Sequence, residues 1–316
     1  MKRKAGDLCA FFRRLVPVAL VLCSGRVLAQ DLEPRAYTVS PLGLNVTFLG
    51  YNRTTGNLVF DPAVPITNAS AKINGGAVGY YRSLGFFGRN ANVRIIVPYA
   101  WGHVKGDVFE EQREVYRSGL ADVKAQFSVN IYGAHAMPLR EYATYFRKTN
   151  LWASFSLSAP SGQHSPDKLI NIGSNRWAFK PEVAVTQVLG KWIGELYVGA
   201  LFFTDNPSFY PGTVNRAQAP LGSYQAHVIY NFRSNLWASL DGTYWHGGHT
   251  TLDGVSKNDN QSASRVGAAV SWTVVPRHSL KVQYSRVETI RIGGKFDTFS
   301  FGYAFSWFDP QGGTRS

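Results

Sequence analysis

Cysteine is almost missing from this chain, and the two that occur, Cys9 and Cys23, both precede residue 30. The sequence downstream has no thiol, which excludes a disulfide framework and leaves stability to hydrogen-bonded backbone and packing. Long apolar runs are missing as well. The best of them, 15–23, falls short of the ~20 residues that a membrane-spanning helix needs. Acid is also in short supply, with 20 Asp and Glu against 33 Lys and Arg. Those basic residues are scattered rather than gathered into a stripe, so the excess does not build a nucleic-acid surface.

What the first 29 residues do contain is a basic start (Lys2, Arg3, Lys4), the short apolar run, and Val27-Leu28-Ala29 as a small-residue cleavage site. That is the make-up of a secretory signal peptide, 1–29, leaving 30–316 as a single domain. The leader takes six basic residues and one acid with it, so the exported chain keeps 27 against 19, about +8. An exported basic chain is expected to meet anionic lipid, not nucleic acid.

The exported part alternates. Its last apolar stretch, 297–308, places Phe299, Phe301, Tyr303, Phe305 and Trp307 on every second residue, with Ser300, Gly302, Ala304 and Ser306 between them. A period of two is a β-strand with one apolar and one small polar face. Similar patterns occur at 44–53, 73–82, 93–101, 121–131, 151–159, 177–185, 192–202, 224–232, 236–244, 266–274 and 280–284. The count is about twelve, an even number, as closed bacterial barrels require. Tight turns at 189–191, 233–235 and 276–279 alternate with long polar segments at 102–119, 160–176, 204–222 and 246–264. Only 133–150, with a helix-like PLREYATYF, is long where a short turn is due.

Alternation alone does not say whether the apolar face points in or out. Twelve strands with apolar interiors would enclose an unfilled cavity, since about eight already make a lumen that side chains just fill. A two-layer sandwich could bury the same faces but does not explain where the aromatics fall. Trp101, Phe202, Tyr224, Tyr244 and Phe299 stand at the long-loop ends, and Trp192, Phe232, Trp272 and Trp307 at the short-turn ends. Two aromatic girdles around an aliphatic band are the mark of a lipid-facing wall. The expected fold is therefore all-β: a transmembrane antiparallel β-barrel of the bacterial outer membrane, with long extracellular loops, short periplasmic turns and a short tail at 309–316.

Catalytic signals are sparse. Two histidines in Trp245-His246-Gly247-Gly248-His249 do not make a zinc site, which wants three or four ligands, and the stretch reads as a surface loop. A barrel lipid hydrolase would carry a His-x-Ser-Asn-Gly stretch, and none is present. No enzyme, cofactor or metal is expected. What remains is the inward face, where the pore-lining candidates are Arg94, Asp122, Lys124, Lys180, Glu182, Glu195, His227, Arg265 and Lys281. Charges of both signs could set a field along a solute path, or pair with one another and fill the interior. Positive charge is also expected at the long-loop end, from Arg53, Lys105, Arg113, Arg117, Lys168, Arg216, Lys257, Arg291 and Lys295.

Three stretches carry a resemblance: Pro41-Leu42-Gly43-Leu44-Asn45, Gly119-Leu120-Ala121-Asp122, and above all SAPSGQHSPDKLINIGSNRWAFKPEVAVT from Ser158 to Thr186. In these the chain resembles the outer-membrane proteins described as "putative MetA-pathway of phenol degradation". The resemblance implies a channel or transporter in the outer membrane, associated with the breakdown of aromatic compounds. The expected partners are outer-membrane lipid and lipopolysaccharide, the barrel assembly machinery and a small-molecule solute. DPQGGTRS after Phe308 departs from a barrel that ends on its last aromatic residue.

Overall fold

The computed structural model describes residues 33–309 apart from 60–65, 109–110 and 147. The expected leader, and the tail after Asp309, lie outside the described residues. The wall is one closed antiparallel sheet. It begins with three long strands, β1 (Leu44–Val59), β2 (Ile66–Phe86) and β3 (Arg89–Val108). The fourth position is shared by β4 (Glu111–Leu120) and β5 (Lys124–Tyr132). After a short helix, α1 (Leu139–Tyr142), come β6 (Thr149–Ser158), β7 (Ala178–Leu189) and β8 (Trp192–Phe203). Two short strands, β9 (Asn206–Phe209) and β10 (Val214–Gln218), precede β11 (Leu221–Arg233) and β12 (Leu236–Gly247). Another short pair, β13 (Thr250–Leu252) and β14 (Val255–Ser256), leads to β15 (Gln261–Val275), β16 (His278–Ile290) and β17 (Gly293–Phe308).

With β4 and β5 sharing a position, the barrel has twelve strands. It is closed by β1 against β17 over the full length of both, from Leu44↔Phe308 to Val59↔Gly293. At the β1–β17 seam closure leaves no edge, so the backbone there can face hydrocarbon with its polar groups paired. No helix among the described residues is long and apolar enough to cross a membrane. The strands extend past the expected ones into the long-loop side. The segment 102–119, expected as a polar loop, continues the ladder instead, with β3 and β4 paired from Tyr99↔Leu120 to Val108↔Glu111. Segments 204–222 and 246–264 carry the small strands β9, β10, β13 and β14, which form a second sheet of their own.

The period of two sorts the faces as expected. Along β3, Ile95, Val97 and Tyr99 are exposed while Asn92, Pro98 and Ala100 are buried inside. Along β12, Leu240 and Tyr244 point out, and Ser239, Asp241, Thr243 and Trp245 point in. A soluble protein would not show so continuous an apolar exterior; hydrocarbon is the solvent that accounts for it. Both girdles hold at Phe202, Tyr224, Tyr244, Phe299, Trp192, Phe232 and Trp272, all exposed. Trp101 and Trp307 are half-buried.

One expected strand is not continuous. The alternation of 121–131 predicts an unbroken strand, but the ladder is interrupted at 121–123. On β3 the pairing passes from Tyr99↔Leu120 to Ile96↔Lys124, so two residues of β3 face three on the other side. Pro98, one of the two, has no N–H to donate, and its carbonyl accepts from the Ala121 N–H at 2.9 Å. An extra residue opposite a proline is the usual setting of an irregular ladder.

Candidate functional site

The lumen is filled differently at its two ends. At the short-turn end, residues 33–43 leave the wall and fold into the barrel, where Tyr37 and Val39 join Met137, Trp152, Ala184 and Tyr197 in a buried cluster. The Leu42 N–H donates to the Met137 carbonyl at 2.9 Å, so the long segment before β6 helps close this end. The Tyr37 hydroxyl donates to Glu182 Oε1 at 2.6 Å, shares a 2.7 Å bond with Ser154, and accepts from Gln126 at 3.2 Å. Its ring stands edge-on to Tyr197, with centroids 4.8 Å apart. The Arg35 N–H donates to Glu195 Oε2 at 2.8 Å, and its guanidinium lies over the Trp237 ring at 5.4 Å. Glu33 forms an ion pair with Arg94. These contacts exchange the hydration of buried charges for fixed partners, which is what lets charge sit in a narrow interior.

Above this filled zone lies a cavity of about 180 Å³. Its lining includes Arg94, Asp122, Lys124, Lys180 and Glu182, with Arg176 brought in by the 159–177 segment. Lys180 and Glu182 are two residues apart on β7, hence on the same face, and form an ion pair. Glu195 and His227 fall in the filled zone. His227 Nδ1 is 2.7 Å from Asp241 Oδ1, and both side chains are fully enclosed. Lys281 is close enough for its charge to act on Glu33.

Toward the long loops the character changes. A second cavity of about 130 Å³ is lined by Ile73, Val104, Ile172, Val287, Ile292 and Phe296, among others, with Arg117 and Arg265 and without a single acidic residue. Arg265 lies over the Trp245 ring at 5.3 Å. The two cavities share Ile172 and Gln261, which therefore form the partition between them.

Ile172 is held there by the inward-folded segment 159–177. Arg117 Nε donates to the Ile170 carbonyl at 2.9 Å, and the Asn171 side chain donates to Ser165 and Lys168 carbonyls at 3.0 and 2.8 Å. Asp122 is the other anchor: its carboxylate accepts from the Gly162 N–H at 2.9 Å and from the Ser174 N–H and hydroxyl at 2.9 and 2.5 Å.

Of the nine pore-lining candidates, five line the middle cavity, Glu195 and His227 are buried in the filled zone, and Arg265 lines the apolar chamber. Residues that alternation did not bring out are Glu33, Arg35 and Tyr37, which precede the first strand, and Trp245, expected in a surface loop but enclosed in β12. Their signal was weak: 33–43 is a non-alternating stretch with two charges and two prolines. Arg216, expected as a surface charge, is instead buried over the Phe209 ring at 5.1 Å, within the small loop sheet. Among the described residues, no group of three or more His, Cys, Asp or Glu could hold a metal ion.

Comparison with known proteins agrees with this architecture. The family described as "Putative MetA-pathway of phenol degradation" matches residues 54–301. The crystal structure of an outer membrane channel from Pseudomonas putida F1 superposes with a TM-score of 0.73 at 18% identity, covering 88% of this chain and 100% of that one. The NanC porin gives 0.47 at 8% identity over 84% of this chain and 100% of that one. None of the curated proteins matches this chain in sequence.

Proposed function

We propose that this chain, which belongs to the family described as "Putative MetA-pathway of phenol degradation", is an outer-membrane channel for small solutes of aromatic or hydrophobic character. The observation that carries the reading is the pair of adjoining cavities inside the wall, an apolar chamber at the long-loop end and a charged one below it. An apolar solute loses little on entering the first. The second, with Lys124, Lys180 and Glu182 on the route and Lys281 below, supplies fixed charges that select among those that go further. The long loops then face the medium and lipopolysaccharide, and both termini face the periplasm. The expected signal peptide, the closed barrel and the likeness to a Pseudomonas putida channel support this placement. No step of the reading calls for catalysis.

The filled short-turn half favours a second reading, in which the barrel is a closed structural or adhesive element acting through its loops. Purified protein in a planar bilayer separates the two. The channel reading expects discrete conductance that aromatic acids reduce as they occupy the lumen. A silent barrel that leaves solute uptake unchanged would establish the structural reading instead.

A further inference from the structure

The chamber at the long-loop end is apolar in its walls, yet its charges are all of one sign. Among the described residues it is lined by Arg117 and Arg265 and by no Asp or Glu. Arg117 is fixed in place, since its Nε and Nη1 donate to the carbonyls of Ile170 and Tyr116, both at 2.9 Å. Two further donors in the same lining have nothing to donate to. Neither the Trp245 indole N–H nor the Gln261 amide nitrogen has a hydrogen-bond partner, although the residues are only 1% and 6% exposed. Buried polar groups are nearly always bonded, so a pair of orphaned donors facing one cavity marks a place where a ligand accepts.

The register brings these groups together. Gln261 and Arg265 flank Ala263 at a spacing of two on β15, and Ala263 pairs across to Trp245 on β12. A guanidinium, an indole N–H and an amide thus converge on one patch of wall, with Arg265 lying over the Trp245 ring. A neutral solute would desolvate the guanidinium and return nothing, whereas a carboxylate brings two acceptor oxygens in the plane that Arg recognises best. The rest of the chamber sets the size of what carries that carboxylate. At about 130 Å³, its volume is close to the roughly 150 Å³ of an apolar cavity that takes up one benzene ring. A rigid ring also gives up less conformational freedom on entry than a flexible chain. We propose that this chamber is a binding site for a single-ring aromatic monocarboxylate, with the carboxylate on Arg265, Trp245 and Gln261 and the ring among Val287, Ile292 and Phe296. The inference rests on the channel reading and names the class of solute. Gln261 borders the middle cavity too, so an anion that leaves the chamber meets Lys124 and Lys180 next.

Calorimetric titration of the purified barrel in detergent tests the site, with conductance in a planar bilayer recorded beside it. Three probes are compared at fixed pH and ionic strength: benzoate, its neutral isostere benzamide, and hexanoate, which offers the same carboxylate on a flexible chain. Benzoate is expected to bind about tenfold more tightly than either, the worth of a charge-assisted hydrogen bond. Arg265→Gln should bring benzoate down to the level of benzamide, while Arg265→Lys, which keeps the charge, retains most of the preference. Trp245→Phe keeps a ring in the wall but removes the N–H, and is expected to weaken benzoate several-fold. Each variant is compared only once its unboiled sample shows the gel shift of a folded barrel. Equal binding of benzoate and benzamide by the parent protein, or a preference that survives Arg265→Gln, would overturn the site, and a barrel that conducts would leave the channel standing. Hexanoate binding as tightly as benzoate would overturn the assignment to aromatic acids. A preference for benzoate in a barrel that never conducts would overturn the channel reading and keep the site.

Discussion

The hydroxyl of Tyr37 and the carboxylate of Glu182 meet at 2.6 Å inside the barrel, although 145 residues separate them in the chain. The bond ties the segment ahead of the first strand to the middle of the wall, beside the Lys180 ion pair. A hydrogen bond to a buried carboxylate is worth about 1.5–3 kcal/mol. Tyr37→Phe keeps the ring among Trp152 and Tyr197 but removes that bond. The segment is then expected to leave its seat more often, seen in single-channel recordings as longer full openings. Deleting 33–40 should go further and raise mean conductance several-fold. An unchanged conductance in both variants would mean that the segment does not limit flow.

Charge at the middle cavity gives a second test. Four bases (Arg94, Lys124, Arg176, Lys180) face three acids (Glu33, Asp122, Glu182) in its lining. Lys124→Glu with Lys180→Glu makes that two against five and places a carboxylate beside Glu182. Selectivity is expected to move toward cations, measured as the reversal potential under a salt gradient. A potential that stays put would show that ions bypass this cavity.

The glycines of the 159–177 segment provide a third. A Cβ on Gly162 would stand 2.6 Å from Gly173 Cα and 2.9 Å from the Ala121 carbonyl carbon, distances at which backbone must move. Gly162→Val is expected to lift the segment off 121–123 while the barrel, whose ladder does not depend on it, still forms. Limited proteolysis should then cut at Lys168 faster than in the parent protein, with the boiled and unboiled gel shift retained. Equal cutting rates would show that the segment accommodates the side chain in place.

Most of the wall was legible because one rule, the period of two, governs every strand. Val93, Ile95, Val97 and Tyr99 announce an outward face whatever lies elsewhere in the chain. The interruption at 121–123 was hidden by that same rule. Ala121, Val123 and Ala125 keep the alternation running straight across the break, and the cause, Pro98, sits on the neighbouring strand. The filled lumen was hidden for a different reason. Tyr37 and Arg35 find partners 89 to 196 residues away, and no local pattern encodes such a contact. Inward charges were legible as positions, but whether Lys180 would face solute or Glu182 depended on a neighbour two residues along the same face. Trp245 was misplaced because its glycine-rich surroundings resemble a loop, while its side chain occupies an inward position of β12.

The lipid face itself can be probed by depth. Leu240 lies on the outer face of β12, halfway between Leu236, which pairs with girdle residue Trp272, and Tyr244 at the other girdle. It is 69% exposed, so in the membrane its side chain is surrounded by hydrocarbon rather than protein. An arginine at the midplane of a barrel costs about 2–4 kcal/mol, falling to about 0–1 kcal/mol near the interfaces. Val198 pairs with girdle residue Tyr224 and so lies nearer the long-loop interface. Leu240→Arg is therefore expected to destabilise the folded barrel clearly more than Val198→Arg, in denaturant titrations of protein refolded into lipid vesicles. Neither should alter conductance in molecules that fold, because neither side chain reaches the lumen. Equal costs at the two positions would mean that the hydrocarbon band is not centred between the two girdles, and a larger cost at Val198 would shift it toward the long loops.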